Sequence, residues 1–167
     1  SNRDGGLGDA DIWSSTHQSV ERPWSTPVNL GAPVNTQFAE ERPRLSRDGR
    51  TLLFDSDRPG AVGGQDLWMS TRERIDDDDD DEAENDAARE AETLQFSEWS
   101  APVNLGPVVN STTTDIEVSI SKDGLSLYLA SNRPRGFGGF DLWVSRRASV
   151  SDPWGPPHSL GPTGSTP

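Results

Sequence analysis

The chain has 167 residues, which is the length of one domain, and its 28 acidic and 15 basic side chains give a net charge of −13. Hydrophobic residues make up 31% of the sequence and aromatic residues 7%, a composition that suits a turn-rich β protein better than a helical one. No apolar run is long enough to span a membrane, so we expect no membrane insertion, and the absence of cysteine excludes disulfides and thiolate metal sites.

The acidic excess is concentrated in one segment. Residues 76–92 contain 11 acidic side chains and one arginine. The rest of the chain holds 17 acidic and 14 basic residues, a net charge of only −3. A nucleic-acid partner would need a basic stripe, and the sequence has none, so we expect no binding to nucleic acid.

The sequence repeats itself. The 13 residues from Ser1 to Trp13 return in similar form at 56–68 and at 131–143. The first two copies are 55 residues apart and the last two are 75 apart, because 20 additional residues, which include the acidic segment, follow the second copy. Such self-similarity is the signature of repeat architectures, in which each unit buries its apolar face against its neighbour.

In chain order, the predicted strands form the same series in each repeat. Asp48-Gly49 and Asp123-Gly124 each lie between two short β runs, which is the strongest short-range signal for a hairpin. A third strand follows each glycine-rich loop, and a proline-containing fourth segment forms an edge. The predicted strands are Asp11–Ser14 and 24–31, then Arg42–Ser46, Thr51–Ser56, Asp66–Ser70 and 99–106, then Glu117–Ser121, Ser126–Ser131, Asp141–Ser145 and 154–161.

Four short antiparallel strands per repeat predict an all-β fold of β-propeller blades, each a four-stranded antiparallel sheet. In this prediction residues 1–31 form the C-terminal half of a blade, and residues 42–106 form a full blade with an acidic insertion at 75–95. Residues 117–161 form a second full blade, and residues 162–167 form a linker to the next. About two and a half blades cannot close a ring, which takes about four to eight. We therefore expect the missing blades in the same polypeptide, or self-association.

The repeated motif also resembles a known family. Ser46-Arg-Asp-Gly49 and Ser121-Lys-Asp-Gly124, each followed by Ser-Asx-Arg, a glycine-rich loop and Asp-Leu-Trp, resemble the WD40-like propeller repeat of the TolB type, the PD40 repeat. The resemblance covers the whole chain except the acidic insertion. It implies a bacterial propeller in the periplasm or outside the cell, found alone or fused to peptidoglycan-associated, peptidase or carbohydrate-active domains. Arg47 and Lys122 depart from the family, which usually has proline there.

A polar set recurs at the glycine loop of every repeat. It comprises an Asx-Arg pair and an aspartate two residues before a tryptophan. We interpret these aspartates as internal braces that accept hydrogen bonds from the loop arginine or from backbone amides, and the alternative is a ligand-binding ring. The hairpin aspartates are also interpreted as braces, and the six tryptophans as packing aromatics rather than sugar platforms. The predicted braces are Asp11, Asp66, Asp141, Asp48 and Asp123.

Binding residues are expected where loops meet on one face. In a four-stranded blade, the loops between the second and third strands emerge on the same face as the segments that join successive blades. Arg58, Arg133 and Arg135 lie in those loops. Glu40 and Asp115 occupy equivalent positions in the joining segments, so they are candidates for a ligand or metal contact near a central channel. A loop-capping or solvated role is the alternative.

The acidic segment begins with six consecutive aspartates, which repel one another and bury nothing. We interpret it as a disordered, solubilising insertion. The alternative is weak binding of a divalent cation, because hard cations prefer carboxylate oxygens. The candidate ligands are Asp76, Asp78, Asp80 and Glu82.

Signals for catalysis are poor. His17 and His158 occupy non-equivalent repeat positions, and the chain has no Gly-x-Ser-x-Gly or His-Glu-x-x-His motif. We expect a non-catalytic propeller, without a cofactor, that binds a protein or a cell-envelope glycan. The hairpin at 46–51 is distantly similar to the sialidase Asp-box, so an accessory or catalytic propeller of a glycan-processing hydrolase is the second hypothesis. A structural spacer in a larger surface protein is the third.

Overall fold

A computed structural model describes residues 1–17, 19–75 and 95–162. Within these residues the regular structure is almost entirely β. The strands are β1 (Trp13–Ser14), β2 (Val28–Asn29), β3 (Glu40–Leu45), β4 (Thr51–Ser56), β5 (Asp66–Thr71), β6 (Arg74–Ile75), β7 (Gln95–Phe96), β8 (Val103–Asn104), β9 (Asp115–Ile120), β10 (Ser126–Ser131), β11 (Asp141–Arg146) and β12 (His158–Ser159), and one short helix, α1, covers Gly106–Val109. No helix in this part of the chain is long and apolar enough to cross a membrane.

The strands form antiparallel sheets that follow chain order. The first sheet pairs β1 with β2, the second has the order β3-β4-β5-β8, and the third has the order β9-β10-β11-β12. The predicted all-β class and its four-stranded antiparallel sheets are confirmed. Within the described ranges the sheets do not close a ring.

A separate two-stranded hairpin borders the predicted acidic insertion. In it, β6 pairs with β7 and places Arg74 opposite Phe96. Residues 76–94 lie outside the described residues. The candidate cation ligands Asp76, Asp78, Asp80 and Glu82 therefore lie outside them as well.

Side chains hold the two hairpin turns. Ser46 Oγ donates to Asp48 Oδ1 at 2.6 Å, and the same oxygen accepts the backbone N–H of Arg50 at 3.1 Å. The turn of the third sheet repeats both bonds through Asp123. The serine bond and the backbone bond favour the ionised carboxyl, so they lower the pKa of Asp48 and of Asp123.

The first strand of each four-stranded sheet begins two residues before its predicted start. The pairing of β3 with β4 is shifted by a bulge between Glu41 and Arg44, and β9 is irregular at the equivalent place. Arg42 and Glu117 have φ values of 48° and 54° there, in the left-handed region. The bulge interrupts the two-residue alternation that marks a strand in a sequence, so the pattern becomes visible only after it.

The sheets stack side against side in chain order. We call the side of a sheet that faces the next sheet along the chain its forward side, and the opposite side its rear side. Side chains alternate along a strand, so Leu53 lies on the forward side of the second sheet and Leu52 on its rear side. The first interface joins Ile12, Leu30 and Val34, from the first sheet and the segment after it, to Leu52, Phe54, Trp68 and Trp99 on the rear side of the second sheet.

The second interface follows the same pattern. Leu53, Leu67 and Leu127 are at most 1% exposed there, and burying such a side chain contributes about 1.5–3 kcal/mol. The repeated packing fixes the sheets relative to one another and therefore positions the loops at their ends. This interface joins Leu53, Leu67, Met69, Leu105 and Val109 to Val118, Ile120, Leu127, Leu129, Trp143 and Trp154.

Candidate functional site

The predicted ligand-contacting residues gather at one end of the sheets, which we call the loop end. There β4 passes through a glycine-rich loop to β5, with Ser56 paired to Asp66. The first strand starts at the same end, because Glu40 pairs with Ser56. The third sheet has the same arrangement.

Glu40 and Asp115 form buried ion pairs with the arginines of the glycine loops. Arg58 Nη2 lies 2.9 Å from Glu40 Oε1, and Arg133 Nη2 lies 2.5 Å from Asp115 Oδ1. Both acidic side chains are 0% exposed, and the two arginine side chains are 8% and 11% exposed. Burial lowers the pKa of Arg58, although the charge of Glu40 opposes that shift. These pairs join each glycine loop to the start of the first strand of its own sheet.

The structure places the two acids at the first residues of β3 and β9, where the joining segments end. Each also accepts a backbone N–H, from Thr36 at 2.8 Å and from Ser111 at 2.5 Å, because a buried carboxylate needs donors. Because both acidic side chains are 0% exposed, a ligand could reach them only if the surrounding residues moved.

The aspartates two residues before the tryptophans hold the glycine loops. Asp11, Asp66 and Asp141 are at most 2% exposed. The loop arginines are not their partners, because Arg58 and Arg133 pair with the acids of the first strands and Arg3 donates to Ser1 Oγ. Each aspartate instead accepts the backbone N–H of the residue four positions earlier, and the donors are Leu7, Val62 and Phe137 at 2.5–2.6 Å.

Two asparagines complete each junction, in an arrangement that we call the asparagine clasp. Asn110 Oδ1 accepts the N–H of Leu67 at 3.0 Å, and Asn110 Nδ2 donates to the carbonyl of Leu67 at 3.1 Å. The same amide group donates to Asn104, which in turn donates to Asp66. The clasp thus ties the third strand of one sheet to the segment that leads to the next. The first junction repeats these bonds with Asn35, Ile12, Asn29 and Asp11.

Trp68 in β5 and Trp143 in β11 are packing residues in this structure. Trp68 and Trp143 are each 6% exposed. Their indole N–H groups donate to the carbonyls of Ser56 and Ser131 at 3.3 Å. Buried on both sides, these two rings are inaccessible to a sugar.

One polar cluster at the loop end is absent from the third sheet. Arg42 Nη1 lies 2.7 Å from Asp55 Oδ2 and 3.2 Å from Glu41 Oε2. Gln65 Nε2 donates to Glu41 at 3.0 Å, and the N–H of Glu117 approaches Asp55 at 3.4 Å from the third sheet. The positions of Arg42, Asp55 and Gln65 are taken in the third sheet by Glu117, Ala130 and Phe140.

The cluster combines a buried acid with accessible charges. The Asp55 side chain is 0% exposed, whereas those of Arg42 and Glu41 are 36% and 37% exposed. Burial raises the pKa of Asp55 to about 6, and the charge of Arg42 only partly offsets it. A cleft of about 330 Å³ lies beside the cluster and is lined by Arg42, Glu41 and Trp13 among others. The cluster offers ionic and hydrogen-bonding recognition through its arginine, carboxylate and amide groups.

Arg135 is the predicted candidate whose side chain is exposed. Its φ is 78°, and the equivalent residues, Gly5 and Gly60, have φ values of 88° and 97°. The loop conformation therefore suits glycine, and an arginine there is strained by about 1–2 kcal/mol. Arg135 has no hydrogen bond or ion pair to the residues that the structure describes.

A larger cleft of about 650 Å³ opens between the second and third sheets, beside the hairpin turns at the opposite end. Leu53, Met69 and Ile120 contribute apolar lining, and Arg147 contributes a charge. The Arg147 guanidinium lies 4.3 Å from the centre of the Trp154 ring, and its burial lowers the pKa of that arginine. The volume is within the range of small-molecule sites.

The residues that the structure describes include no group of three or more His, Asp or Glu side chains placed to hold a metal ion. Glu40 and Asp115, the candidates for such a contact near a channel, are bonded to arginine and to backbone N–H groups.

Sequence reasoning missed the asparagine clasp and the polar cluster. A signal for the clasp was present, because Val-Asn recurs 75 residues apart at Asn29 and Asn104 and again at Asn35 and Asn110. The cluster gave no such signal, since Asp55 and Gln65 do not recur in the other full repeat.

Comparison of the chain with family models, with curated proteins and with solved structures finds no match in any of the three.

Proposed function

We propose that the chain is part of a β-propeller of the TolB type, and that it serves outside the bacterial cytoplasm as a non-catalytic module that binds a protein or a cell-envelope glycan. Two features support the propeller. The four-stranded antiparallel sheets follow one another in chain order, and successive sheets pack forward side against rear side. Propeller blades have both of these traits.

The observation that carries the binding role is Arg135. It is a solvent-exposed cation held at a φ of 78° in a loop whose two counterparts have glycine. A glycine at this position would relieve the strain, so stability alone does not account for the arginine. Loops supported by a rigid scaffold are the usual place for binding residues, and the sheets provide that scaffold here.

The rest of the loop end supports recognition rather than catalysis. Arg42 and Glu41 are partly exposed beside the cleft of about 330 Å³ and offer a donor and an acceptor to a partner. Sugar hydroxyls and peptide groups both suit such a pair. Arg58 is bonded to Glu40, and Arg133 is bonded to Asp115, within the chain. These four charged groups therefore stabilise the scaffold.

Co-sedimentation with purified peptidoglycan sacculi tests the glycan form of the proposal. The Arg135→Gly variant should fold and should melt at or above the wild-type temperature, because glycine accepts the positive φ. We expect it to sediment several-fold less with sacculi than the wild type. The matched control is Arg22→Ala, which removes an exposed arginine from the loop between β1 and β2 at the opposite end and should leave sedimentation unchanged.

Equal sedimentation of the wild type and Arg135→Gly would contradict a role for Arg135 in binding sacculi. If the wild type does not sediment with sacculi, the glycan form fails, and the protein form is tested by crosslinking from the exposed position 137 of the same loop in bacterial envelope extracts. Specific crosslinks that form when Arg135 is present and are lost in Arg135→Gly would then support a protein partner.

A further inference from the structure

The cleft of about 650 Å³ lies between the second and third sheets, beside the hairpin turns and away from the loop end. The forward side of the second sheet forms one wall, which includes Met69 and Thr71. The rear side of the third sheet forms the other wall, which includes Ile120, and Trp154 lies beside it. Both walls belong to sheets whose four strands all lie within the described residues, so the packing of these two sheets shapes the cleft.

The inner lining of the cleft is apolar. Leu53 is 1% exposed, and Met69, Ile120 and Trp154 are partly buried against the same cluster of core residues. A ligand group that covered these side chains would remove apolar surface from water, which is favourable in proportion to the area covered. The volume of the cleft is within the range that encloses a small organic molecule. The lining therefore suits the apolar part of such a molecule.

Arg147 supplies an oriented cation in this cleft. Its Nε donates to the carbonyl of Gly124 at 2.8 Å, and its guanidinium lies 4.3 Å from the centre of the Trp154 ring. These contacts hold the guanidinium in place, while its Nη atoms have no hydrogen bond or ion pair to any residue that the structure describes. Burial lowers the pKa of Arg147, because part of the charge is withdrawn from water. An arginine held in this way offers N–H donors in the geometry that a carboxylate accepts.

The equivalent arginine of the second sheet has the same support but lies outside the cleft. Arg72 Nε donates to the carbonyl of Gly49 at 2.7 Å, and its guanidinium lies 3.9 Å and 4.4 Å from the centres of the Phe96 and Trp99 rings. The bond to the turn glycine is thus a structural feature of both sheets. Of the two arginines, Arg147 lines the cleft and Arg72 does not, so Arg72 serves as an internal reference for the structural role.

The charges around the cleft favour a ligand with one negative charge. Arg47 and Lys122 are exposed and line the cleft together with Arg147. Asp48 and Asp123 also line it, so three cations and two carboxylates give a net charge of +1. Each of these carboxylates already accepts a serine hydroxyl and a backbone N–H within its own turn. A single negative charge on the ligand would neutralise the cleft, and the two carboxylates would repel a second.

We propose that this cleft binds a small amphipathic monoanion, whose carboxylate accepts the Nη donors of Arg147 and whose alkyl or aromatic body covers Leu53, Met69 and Ile120. The apolar lining and the oriented cation lie in the same cleft, so one molecule contacts both. The cleft is at the opposite end of the sheets from Arg135, so this binding does not depend on the partner proposed for the loop end.

Titration with octanoate at neutral pH tests the proposal, with amide and indole N–H chemical shifts followed by NMR. We expect saturable shifts at the indole N–H of Trp154 and at the amide of Ile120, and none at the amide of Arg135. Octanol and octylammonium have the same alkyl chain with a neutral or a cationic head. Each should bind at least about tenfold more weakly than octanoate, because neither offers the charged acceptor that Arg147 requires.

Arg147→Gln should weaken octanoate binding at least about tenfold, since it removes the charged donor. The matched control is Arg72→Gln, which loses the equivalent bond to a turn glycine and the equivalent ring contact but should bind octanoate like the wild type. A second variant, Thr71→Trp, fills the cleft from an exposed position and should abolish saturable binding without removing a charge. Thermal melts check that the variants are folded, and Thr71→Trp decides the result if Arg147→Gln does not fold.

Four results would overturn the proposal. The first is the absence of saturable shifts at Trp154 and Ile120 in the wild type. The second is equal affinity for octanoate and octanol, which would show that the anionic head is not recognised. The third is equal weakening in Arg72→Gln and Arg147→Gln, which would show that the arginine acts only through the fold. The fourth is unchanged affinity in Thr71→Trp, which would place the bound octanoate elsewhere.

Discussion

The guanidinium of Arg133 lies 2.5 Å from the carboxylate of Asp115 in a buried ion pair. The same arginine also donates to the carbonyl of Val109 at 2.7 Å. Arg133 thus connects three parts of the chain: the glycine loop, the first strand of the third sheet, and the segment that leads into that sheet. The pair of Arg58 with Glu40 has the same geometry at the preceding junction.

The first prediction concerns this ion pair. Asp115→Ala leaves the guanidinium of Arg133 buried without a counter-charge, which typically costs about 3–5 kcal/mol. We expect a loss of that size in the free energy of unfolding, measured by urea titration. Glu73→Ala is the control, because its pair with Arg50 is largely exposed and such pairs contribute about 0–1 kcal/mol. Equal losses in the two variants would show that the buried pair does not stabilise the junction.

The second prediction concerns the asparagine clasp. Asn110→Ala leaves the N–H of Leu67 without its partner, whereas the carbonyl of Leu67 keeps the N–H of Leu105, and a buried group left unsatisfied costs about 1–3 kcal/mol. The melting temperature should fall, and amide exchange at Leu67 should accelerate more than exchange at Leu127. Asn132→Ala removes only an exposed bond to Thr114 and should change neither measurement appreciably. Unchanged exchange at Leu67 in Asn110→Ala would argue against the clasp.

The third prediction concerns pH. Asp55 has its ordinary pKa of 3.8 in the unfolded chain and a pKa of about 6 in the folded one, because it is buried. The folded state holds the proton more tightly, so the stability from this group is fully present below pH 3.8 and is lost as the pH rises through about 6. A shift of about two units corresponds to about 3 kcal/mol.

The measurement for Asp55 is the free energy of unfolding of the wild type minus that of Asp55→Asn, as a function of pH. The difference should decrease as the pH rises from acidic to neutral. Asp48→Asn gives the opposite sign as a control, because hydrogen bonds lower the pKa of Asp48, and its stabilisation is lost as the pH falls. A difference that does not vary with pH for Asp55→Asn would contradict the raised pKa.

The fourth prediction concerns the glycine loop of the third sheet. A Cβ at Gly136 would lie 1.8 Å from Asp141 Oδ2, so Gly136→Ala must displace the carboxylate that holds the loop. Overpacking of this kind costs about 1–3 kcal/mol. A Cβ at Gly139 meets no atom within 4 Å, so Gly139→Ala is the matched control in the same loop. Thermal melts that coincide for the two variants would refute the proposed role of Asp141.

Much of the fold could be predicted because the same strand and turn motifs occur in more than one repeat of the sequence. The hairpin from Ser46 to Thr51 and the tryptophan strand recur at fixed spacing, and local turn and strand preferences agree at each copy. The starts of β3 and β9 were missed because Arg42 and Glu117 form bulges at positive φ, which neither residue type signals.

The candidate site was harder to predict than the fold. The acids at Glu40 and Asp115 and the arginines at Arg58 and Arg133 were placed on one face, but their spacing along the chain does not show that they pair with each other. That pairing depends on the ends of the strands meeting, which is a tertiary relation. Asp55 could not be predicted as a site residue, because its raised pKa and its ion pair with Arg42 come from burial in the fold and not from a repeated sequence pattern.

The asparagine clasp also shows that the segment needed to complete a sheet extends beyond the strands of that sheet. The strands of the second sheet end at Asn104, yet the N–H of Leu67 in the middle of that sheet is satisfied only by Asn110. A truncation after α1, at Val109, would keep every strand of the sheet and still expose one of its central amides. A shortened chain that is meant to end with an intact second sheet must therefore reach Asn110. The first and second sheets are each completed by an asparagine from the segment that leads to the next sheet.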